Sequence, residues 1–241
     1  MYNDIEEKLN LFNKKKPMNI EFTSWFDESS LWGWIFTCLN LRGTPLEKGV
    51  VVSILRGEII ENVPLELYGF VHRYRDIYKD IKSNLEMKSS LNEKILKRYY
   101  CILLEQKEAN YRQNNPVIYE WGYNPPHFLD INEQMELLFK RLATDWKNHD
   151  PLTRAAKTHL QILEIYPFGE ASVTIASVAL LYLIMESGLP VPHLFASEQE
   201  YNQQVSEYLN SGNDAAFREM LGRSIINRLD VLLQVCQSLE V

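Results

Sequence analysis

The sequence predicts an all-α fold, and three observations lead to that expectation. Between His159 and Pro190, an apolar helix leads through a Pro-Phe turn and a small-residue loop into a second apolar helix that stops at Gly188. Helical patterns fill most of the remaining chain, and only Asn115–Tyr123 alternates apolar and polar residues as a strand does. With 46% hydrophobic residues among 241, the chain is able to bury a full core.

The first part of the chain is predicted to be helical. A short amphipathic helix over residues 4–15 precedes an aromatic-rich segment, residues 22–36, whose three tryptophans favour a core position over a ligand site. A turn at residues 43–45 separates this segment from a helix over residues 46–55. A long helix over residues 64–82 follows. It begins at Pro64, and the first turn of a helix tolerates proline.

The later elements follow the same pattern, with one exception. A helix is predicted over residues 91–106, and the alternating segment 115–123 is predicted to form a β-hairpin. Another helix is predicted over residues 130–146, with Asp130 as its N-cap and Glu133 three residues later, as in a capping box. Residues 198–241 are predicted to form two further helices.

Composition limits the classes of function. The net charge is −7 and no basic block occurs, which argues against a nucleic-acid partner. The N-terminal segment lacks an apolar signal-peptide core, and the apolar run over residues 175–185 is too short to span a bilayer. The three cysteines are far apart without metal-type spacing, so we expect free thiols in a reducing cytoplasm: Cys38, Cys101 and Cys236.

The loop between the two apolar helices is the candidate functional site. A short loop that feeds exposed N–H groups into a helix N-terminus favours anion binding, and the second helix is predicted over residues 174–187. The sequence here is YPFGEASVTIAS, and it resembles the Fic family motif HPF-x-[D/E]-[G/A]-NGR-x-x-R without a gap. Four positions agree with the motif: Pro167, Phe168, Glu170 and Ala171. Five positions depart from it: Tyr166 stands for the His, Ser172 for the Asn, Val173 for the Gly, and Thr174 and Ser177 for the two Arg.

The resemblance implies a Fic-like helical fold and a known chemistry, namely AMP transfer from ATP to a protein hydroxyl. In the family the His is the general base, the acidic residue holds Mg²⁺, and the Asn, loop N–H groups and Arg residues bind the nucleotide. A phenol such as Tyr166 has a pKa near 10, so it is a poor base at neutral pH. A β-branched Val173 disfavours the backbone approach that Gly allows, and Ser or Thr cannot replace bidentate Arg contacts to phosphate.

The substitutions therefore predict a pseudoenzyme that needs no cofactor, with Mg²⁺ and ATP bound only if residual activity survives. Glu170 is the single candidate metal ligand. Ser172 and Thr174 have a second, purely structural interpretation as caps of the second helix. Of the histidines, His159 is expected to be a packed side chain.

The resemblance extends towards the N-terminus. Residues 1–90 are predicted to form an additional helical region, and residues 91–241 the Fic-like core. Larger family members carry an inhibitory helix with the motif [S/T]-x-x-x-E-[G/N], and Arg42 stands at the position of its Glu. In the family that Glu pairs with the second Arg of the core motif, which is Ser177 here. A surface charge is the alternative interpretation of Arg42.

Two further similarities suggest how the chain functions. Residues 109–112, Ala-Asn-Tyr-Arg, resemble the family's G-x-[YWF]-R element, and the segment Asn115–Tyr123 stands where the family has a flap that docks target proteins by strand addition. We call residues 115–123 the flap segment. Its aromatic residues are the predicted partner-binding surface: Tyr119, Trp121 and Tyr123.

The leading hypothesis is protein binding through the flap segment, with a homodimer as a further expectation. One alternative is a nucleotidyl- or phosphotransferase of altered chemistry, which requires a polar, roomy pocket beside Tyr166. Another is nucleotide sensing without turnover.

Overall fold

Helices account for the regular structure of the residues that the computed structural model describes, which are 1–15, 18–41, 43–44, 46–193 and 197–239. The predicted all-α class is confirmed. Ten α-helices fall within these ranges, together with two 3-10 turns, Tyr119–Trp121 and Phe128–Asp130. In chain order the helices are α1 Tyr2–Asn13, α2 Ile20–Leu41, α3 Lys48–Leu55, α4 Leu65–Glu86, α5 Glu93–Leu104, α6 Ile131–Ala143, α7 Pro151–Ile165, α8 Ala171–Glu186, α9 Glu198–Ser211 and α10 Ala215–Leu239.

The centre of the fold is the antiparallel pair α7 and α8. The Asp150 side chain caps α7 by accepting the Thr153 N–H at 2.9 Å, and Pro151 takes the first turn, where its missing N–H costs nothing. Helix α8 is apolar on all sides and nearly every residue from Ser172 to Ile184 is buried. A helix that is apolar on all sides is stable here because α2, α4, α5 and α7 all pack against it and shield it from water.

The helices before residue 90 pack directly on later ones. Helix α1 lies along α10, and α2 contacts α4, α8 and α9. The core prediction for the aromatic segment is confirmed for Phe22 and Trp34, both 4% exposed, whereas Trp25 is 37% exposed. None of the helices among the described residues is both long and apolar enough to cross a membrane.

The predicted β-hairpin of the flap segment is not present. Ile118 and Tyr123 exchange two backbone hydrogen bonds, at 2.9 and 3.2 Å, and form a single isolated bridge. The residues between them form the 3-10 turn, which Gly122 closes with φ at 58°. The turn takes up residues 119–122, and the Trp121 indole is hydrogen-bonded to Asn202 on α9. No second pair of strand residues therefore forms.

The predicted N-caps of two helices also differ from the structure. Asp130 precedes α6 as expected, but its side chain makes no cap hydrogen bond because it belongs to the 3-10 turn and has a helical backbone, φ −89° and ψ −8°. Helix α8 begins at Ala171, three residues before the predicted start, with Glu170 as its N-cap residue. Ser172 and Thr174 therefore lie inside the helix and do not cap it.

A glycine in the middle of α2 allows a close approach of the chain that follows α8. A Cβ built on Gly33 would lie 2.3 Å from Cδ2 of His193, and the His193 ring also packs against Trp32 at 4.6 Å between ring centroids. Helix α2 and this connection therefore fit together only while residue 33 lacks a side chain.

We expect Gly33→Ala to destabilise the fold by about 1–3 kcal/mol, because the new methyl group overpacks the contact with His193. The sign is diagnostic, since Gly→Ala inside a helix otherwise stabilises by up to about 1 kcal/mol. Urea denaturation followed by circular dichroism measures the change. Gly49→Ala in α3, where a Cβ meets nothing within 4 Å, is the matched control. If adding His193→Ala does not relieve the penalty, the proposed clash is wrong.

Candidate functional site

The loop between α7 and α8 is short and held in an unusual backbone conformation. Helix α7 ends at Ile165. Tyr166 follows it in the left-handed conformation, with φ 51° and ψ 51°, and donates its N–H to the Ile162 carbonyl at 2.8 Å. Gly169 is also left-handed, with φ 57°, and α8 starts two residues later. We call residues 166–170 the core loop. A non-glycine residue at positive φ costs free energy, so the surrounding contacts must hold Tyr166 in place.

Arg112 supplies those contacts from beneath the loop. Its side chain is 8% exposed and donates from Nε to the Tyr166 carbonyl at 2.9 Å. The remaining N–H groups reach the carbonyls of Ile165, Asn114 and Pro126. The Arg112 backbone N–H donates to the Pro167 carbonyl at 2.9 Å. Because backbone carbonyls accept hydrogen bonds from these donors, Arg112 holds the core loop against the C-terminal end of α7, which is the negative end of the helix dipole.

A second set of bonds closes the core loop on its other side. The Phe168 N–H donates to the Ser172 Oγ at 2.9 Å, and the Ser172 N–H donates to the Gly169 carbonyl at 2.8 Å. The Phe168 ring is buried against Tyr100 at 4.7 Å and Tyr111 at 5.3 Å between centroids. Two N–H groups that could have faced an anion are therefore satisfied within the loop.

Tyr166 is 7% exposed, and its ring stands perpendicular to the Trp121 ring at a centroid distance of 6.1 Å. Burial raises the pKa of Tyr166 to about 12, with smaller contributions from Glu170 and Glu120. At neutral pH the phenol is therefore protonated and cannot accept a proton from an incoming hydroxyl.

Glu170 is exposed at the start of α8. Within the described ranges no group of three or more His, Cys, Asp or Glu side chains is placed to hold a metal ion. A lone carboxylate would hold Mg²⁺ only together with phosphate oxygens and water. The site thus retains one potential metal ligand and no preformed cage in the described part of the chain.

The positions of the two motif arginines lie inside the protein. Thr174 is 3% exposed and Ser177 6%, and the Ser177 hydroxyl donates to the Val173 carbonyl at 3.0 Å. Beside Ser177 is a cavity of about 20 Å³, which Trp34 and Thr37 of α2 also line. That volume suits about one water molecule, whereas pockets for small-molecule ligands measure roughly 300–1,000 Å³. Arg42, the predicted inhibitory-motif position, lies outside the described residues.

His159 also lines this cavity and is fully buried, as expected of a packed side chain. Its Nε2 is 2.9 Å from the Tyr201 hydroxyl, and its ring stacks on Phe217 at 5.0 Å. Burial lowers the pKa of His159 to about 4, so the ring is neutral at pH 7. It lies in the core and supplies no positive charge to the site.

The three flap aromatics have different environments. Tyr119 is 87% exposed, whereas Trp121 is 3% exposed and donates from Nε1 to Asn202 at 3.0 Å. Tyr123 is half-buried and its hydroxyl donates to the Glu164 carbonyl at 3.2 Å. The structure therefore brings Trp121 to the core motif at Tyr166, places Tyr123 against α7, and leaves Tyr119 on the surface.

The sequence between α4 and α8 is similar to a known protein family. Residues 85–184 match the model of the Fic/DOC family. The match covers 100 of the chain's 241 residues. The matched segment contains α5, α6, α7 and most of α8, and it therefore includes the core loop and the flap segment. No curated protein matches the chain.

Several solved structures resemble the whole chain in fold. A Fic domain containing signaling protein from Bacteroides thetaiotaomicron has a TM-score of 0.85 at 16% identity, covering 98% of both chains. Fic-1 (residues 134–508) from C. elegans has a TM-score of 0.83 at 14% identity, covering 98% of this chain and 73% of that one. A Fic family protein from Desulfovibrio desulfuricans has a TM-score of 0.73 at 13% identity, with 97% and 73% covered. At these identities the likeness concerns the fold.

One surface beside the matched segment was not predicted from the sequence. It is an open, polar surface formed by the flap segment and one face of α9. The spacing of its α9 residues is that of one polar helix face, which is the signal that could have revealed it. The residues that line it are Glu120, Gln199, Asn202, Gln203, Ser206 and Glu207.

Proposed function

We propose that this Fic-domain protein has lost nucleotide transfer and acts by binding a protein partner on the surface around Tyr119. The Fic family includes protein AMPylases, so the proposal concerns what this member retains of that scaffold. One observation carries it: the positions that would bind the triphosphate are small, buried side chains packed under α2.

The packing argument concerns Thr174 and Ser177. Family arginines at these positions would need a solvent-connected space in which guanidinium groups meet phosphate. Here the space beside Ser177 is about 20 Å³, and the side chains of Trp34 and Thr37 border it. This geometry supports a scaffold in which α2 packs against α8.

The chemistry at the core loop supports the same conclusion. Tyr166 is a buried, protonated phenol where a base would be required, and its pKa is raised to about 12. Ser172 accepts the Phe168 N–H and so satisfies a backbone donor from within the loop. Glu170 is the remaining acid of the motif, and its negative charge and that of Glu120 both raise the pKa of Tyr166. Two negative charges at the core loop disfavour a polyanionic nucleotide.

Transfer assays with α-labelled ATP, CTP, GTP and UTP test the proposal, each with Mg²⁺ and with Mn²⁺. We expect no label on the protein itself or on proteins of a cell lysate. We also expect no saturable heat of binding when Mg²⁺–ATP is titrated into the protein. A Fic-domain protein with an intact motif serves as the positive control in the same lysate.

Label transferred by the wild type and lost in Glu170→Ala would overturn the proposal, and it would favour the alternative of a transferase with altered chemistry. Saturable ATP binding without label would instead favour nucleotide sensing. Circular dichroism of Glu170→Ala must match the wild type for either result to count, and exposure of this side chain makes that outcome expected.

A further inference from the structure

We propose that Arg228 of α10 binds a small inorganic anion of the size of chloride where its side chain meets α2. Neither helix carries the core motif, so this inference stands apart from the proposed function. It rests on a buried positive charge without a counter-charge, on an unused hydrogen-bond donor of the same side chain, and on the positive charges that act on this region.

The Arg228 side chain lies inside the protein and keeps its charge there. The residue is 3% exposed. Its Nη2 donates to the Ser29 hydroxyl at 2.6 Å, whereas its Nε is buried without a hydrogen-bond partner in the described part of the chain. Burial lowers the pKa of Arg228 to about 10, which is still well above neutral pH. A buried cation with an unused N–H donor is costly unless an acceptor is bound to it.

No carboxylate among the described residues pairs with Arg228. Asp230, further along α10, and Asp27 of α2 each pair with a lysine, and Glu28 is exposed. The group whose charge acts on the pKa of Arg228 is the Tyr78 phenol. Burial raises the pKa of Tyr78, so this phenol is neutral at pH 7. A bound anion is able to supply the charge that these side chains do not.

The surroundings of Arg228 are positive and offer a further donor. Burial lowers the pKa of His193 to about 4, and the positive charges of Arg228 and Lys48 lower it as well. Both cations therefore act on the same part of the protein, and their field favours an anion. The Ser30 hydroxyl is fully buried and interacts with the Tyr78 phenol. Serine hydroxyls and guanidinium N–H groups are donors that bind anions.

The aromatic rings beside Arg228 do not replace an anion. The guanidinium carbon lies 5.5 Å from the centroid of a Trp25 ring and 5.6 Å from that of Phe26. Both distances are close to the outer limit of about 6 Å for a cation–π contact. Aromatic faces carry no net charge, so they position the guanidinium without neutralising it. A monovalent anion suits this site better than phosphate, because the cost of removing an ion from water rises steeply with its charge.

The dependence of stability on chloride tests the inference. Thermal unfolding is followed by circular dichroism in sodium chloride and in sodium gluconate, each at about 150 mM so that the ionic strength is equal. We expect chloride to raise the melting temperature of the wild type by about 2–4 °C, because a ligand that binds only the folded state stabilises it. We also expect the wild type to broaden the chloride NMR signal in a saturable manner.

Arg228→Met removes the charge and keeps an unbranched side chain, and we expect it to abolish both effects. The matched control is Arg223→Met, which makes the same substitution at an exposed position of α10 and should retain both effects. No chloride effect in the wild type would overturn the inference. An equal chloride effect in the wild type and in Arg228→Met would overturn it as well.

Ser30→Ala keeps the inference testable if Arg228→Met does not fold. This variant keeps the positive charge and removes one buried donor, so we expect it to weaken chloride binding about threefold to tenfold in the NMR titration. Chloride affinity equal to that of the wild type would contradict a site at Arg228 and Ser30. None of these results bears on the transfer assays, so the loss of catalysis is judged separately.

Discussion

Replacing Ser177 by arginine, the residue of the family motif, is expected to destabilise the protein by about 3–5 kcal/mol, because it buries a charge without a partner. Ser177 is 6% exposed and faces a cavity of about 20 Å³ that cannot hold a guanidinium group. Trp34, Thr37 and His159 line the same cavity, and none of them is an anion. Urea denaturation followed by circular dichroism at 222 nm, the usual helix signal, measures the loss.

Ser83→Arg on α4 is the control for this prediction, because it places the same side chain at an exposed helical position. We expect it to change the free energy of unfolding by no more than about 0.5 kcal/mol. If Ser177→Arg proved as stable as the wild type, the arginine would have to reach solvent through an opening between α2 and α8. Such an opening would undermine the packing argument for lost nucleotide binding.

Replacing Arg112 by lysine is expected to cost about 3 kcal/mol even though the positive charge is kept, because one ammonium group cannot reproduce a fork of N–H donors. The guanidinium donates to the carbonyls of Tyr166, Ile165 and Pro126, among others, and these groups lie on separate parts of the chain. Lysine would leave several of these carbonyls unsatisfied in a buried site.

Two measurements distinguish a lost clamp from general damage. Urea denaturation gives the free energy, and hydrogen exchange should show lost protection in residues 110–116, 124–128 and 163–170. Arg98→Lys, which alters an exposed ion pair with Asp80, is the control and should change stability by less than about 1 kcal/mol. Unchanged protection around Tyr166 in Arg112→Lys would contradict the assigned role.

Local patterns in the sequence were sufficient to predict most of the fold. The predicted helices are present, and the end of α7 before Pro167 and of α8 before Gly188 follows from turn residues that act on their immediate neighbours. The hairpin prediction failed because alternation over residues 115–123 carries no information about Trp121, whose ring is held by Asn202 on α9.

For the core motif, the sequence gives the residue types but not the space around them. The departures at Tyr166, Val173 and Ser177 are visible in the chain itself, and a phenol in place of an imidazole is a chemical fact in any fold. Whether a pocket survived beside them depends on Trp34, which lies more than a hundred residues earlier in the chain. Pocket volume is a property of packing between distant segments, and side-chain periodicity does not encode it.

By itself the sequence determined the helical class, the helix–loop–helix at the centre and the residue types of the loop at residues 166–170, including a phenol in place of the imidazole in the motif that it resembles. These properties depend on residue type and on neighbours a few positions away, which is why they are readable without coordinates. The tertiary structure alone decided that Ser177 faces a small cavity, that Arg112 holds the core loop, and that Glu120 of the flap segment lies against α9. Each of these joins segments far apart in the chain, and only the folded packing brings their side chains together.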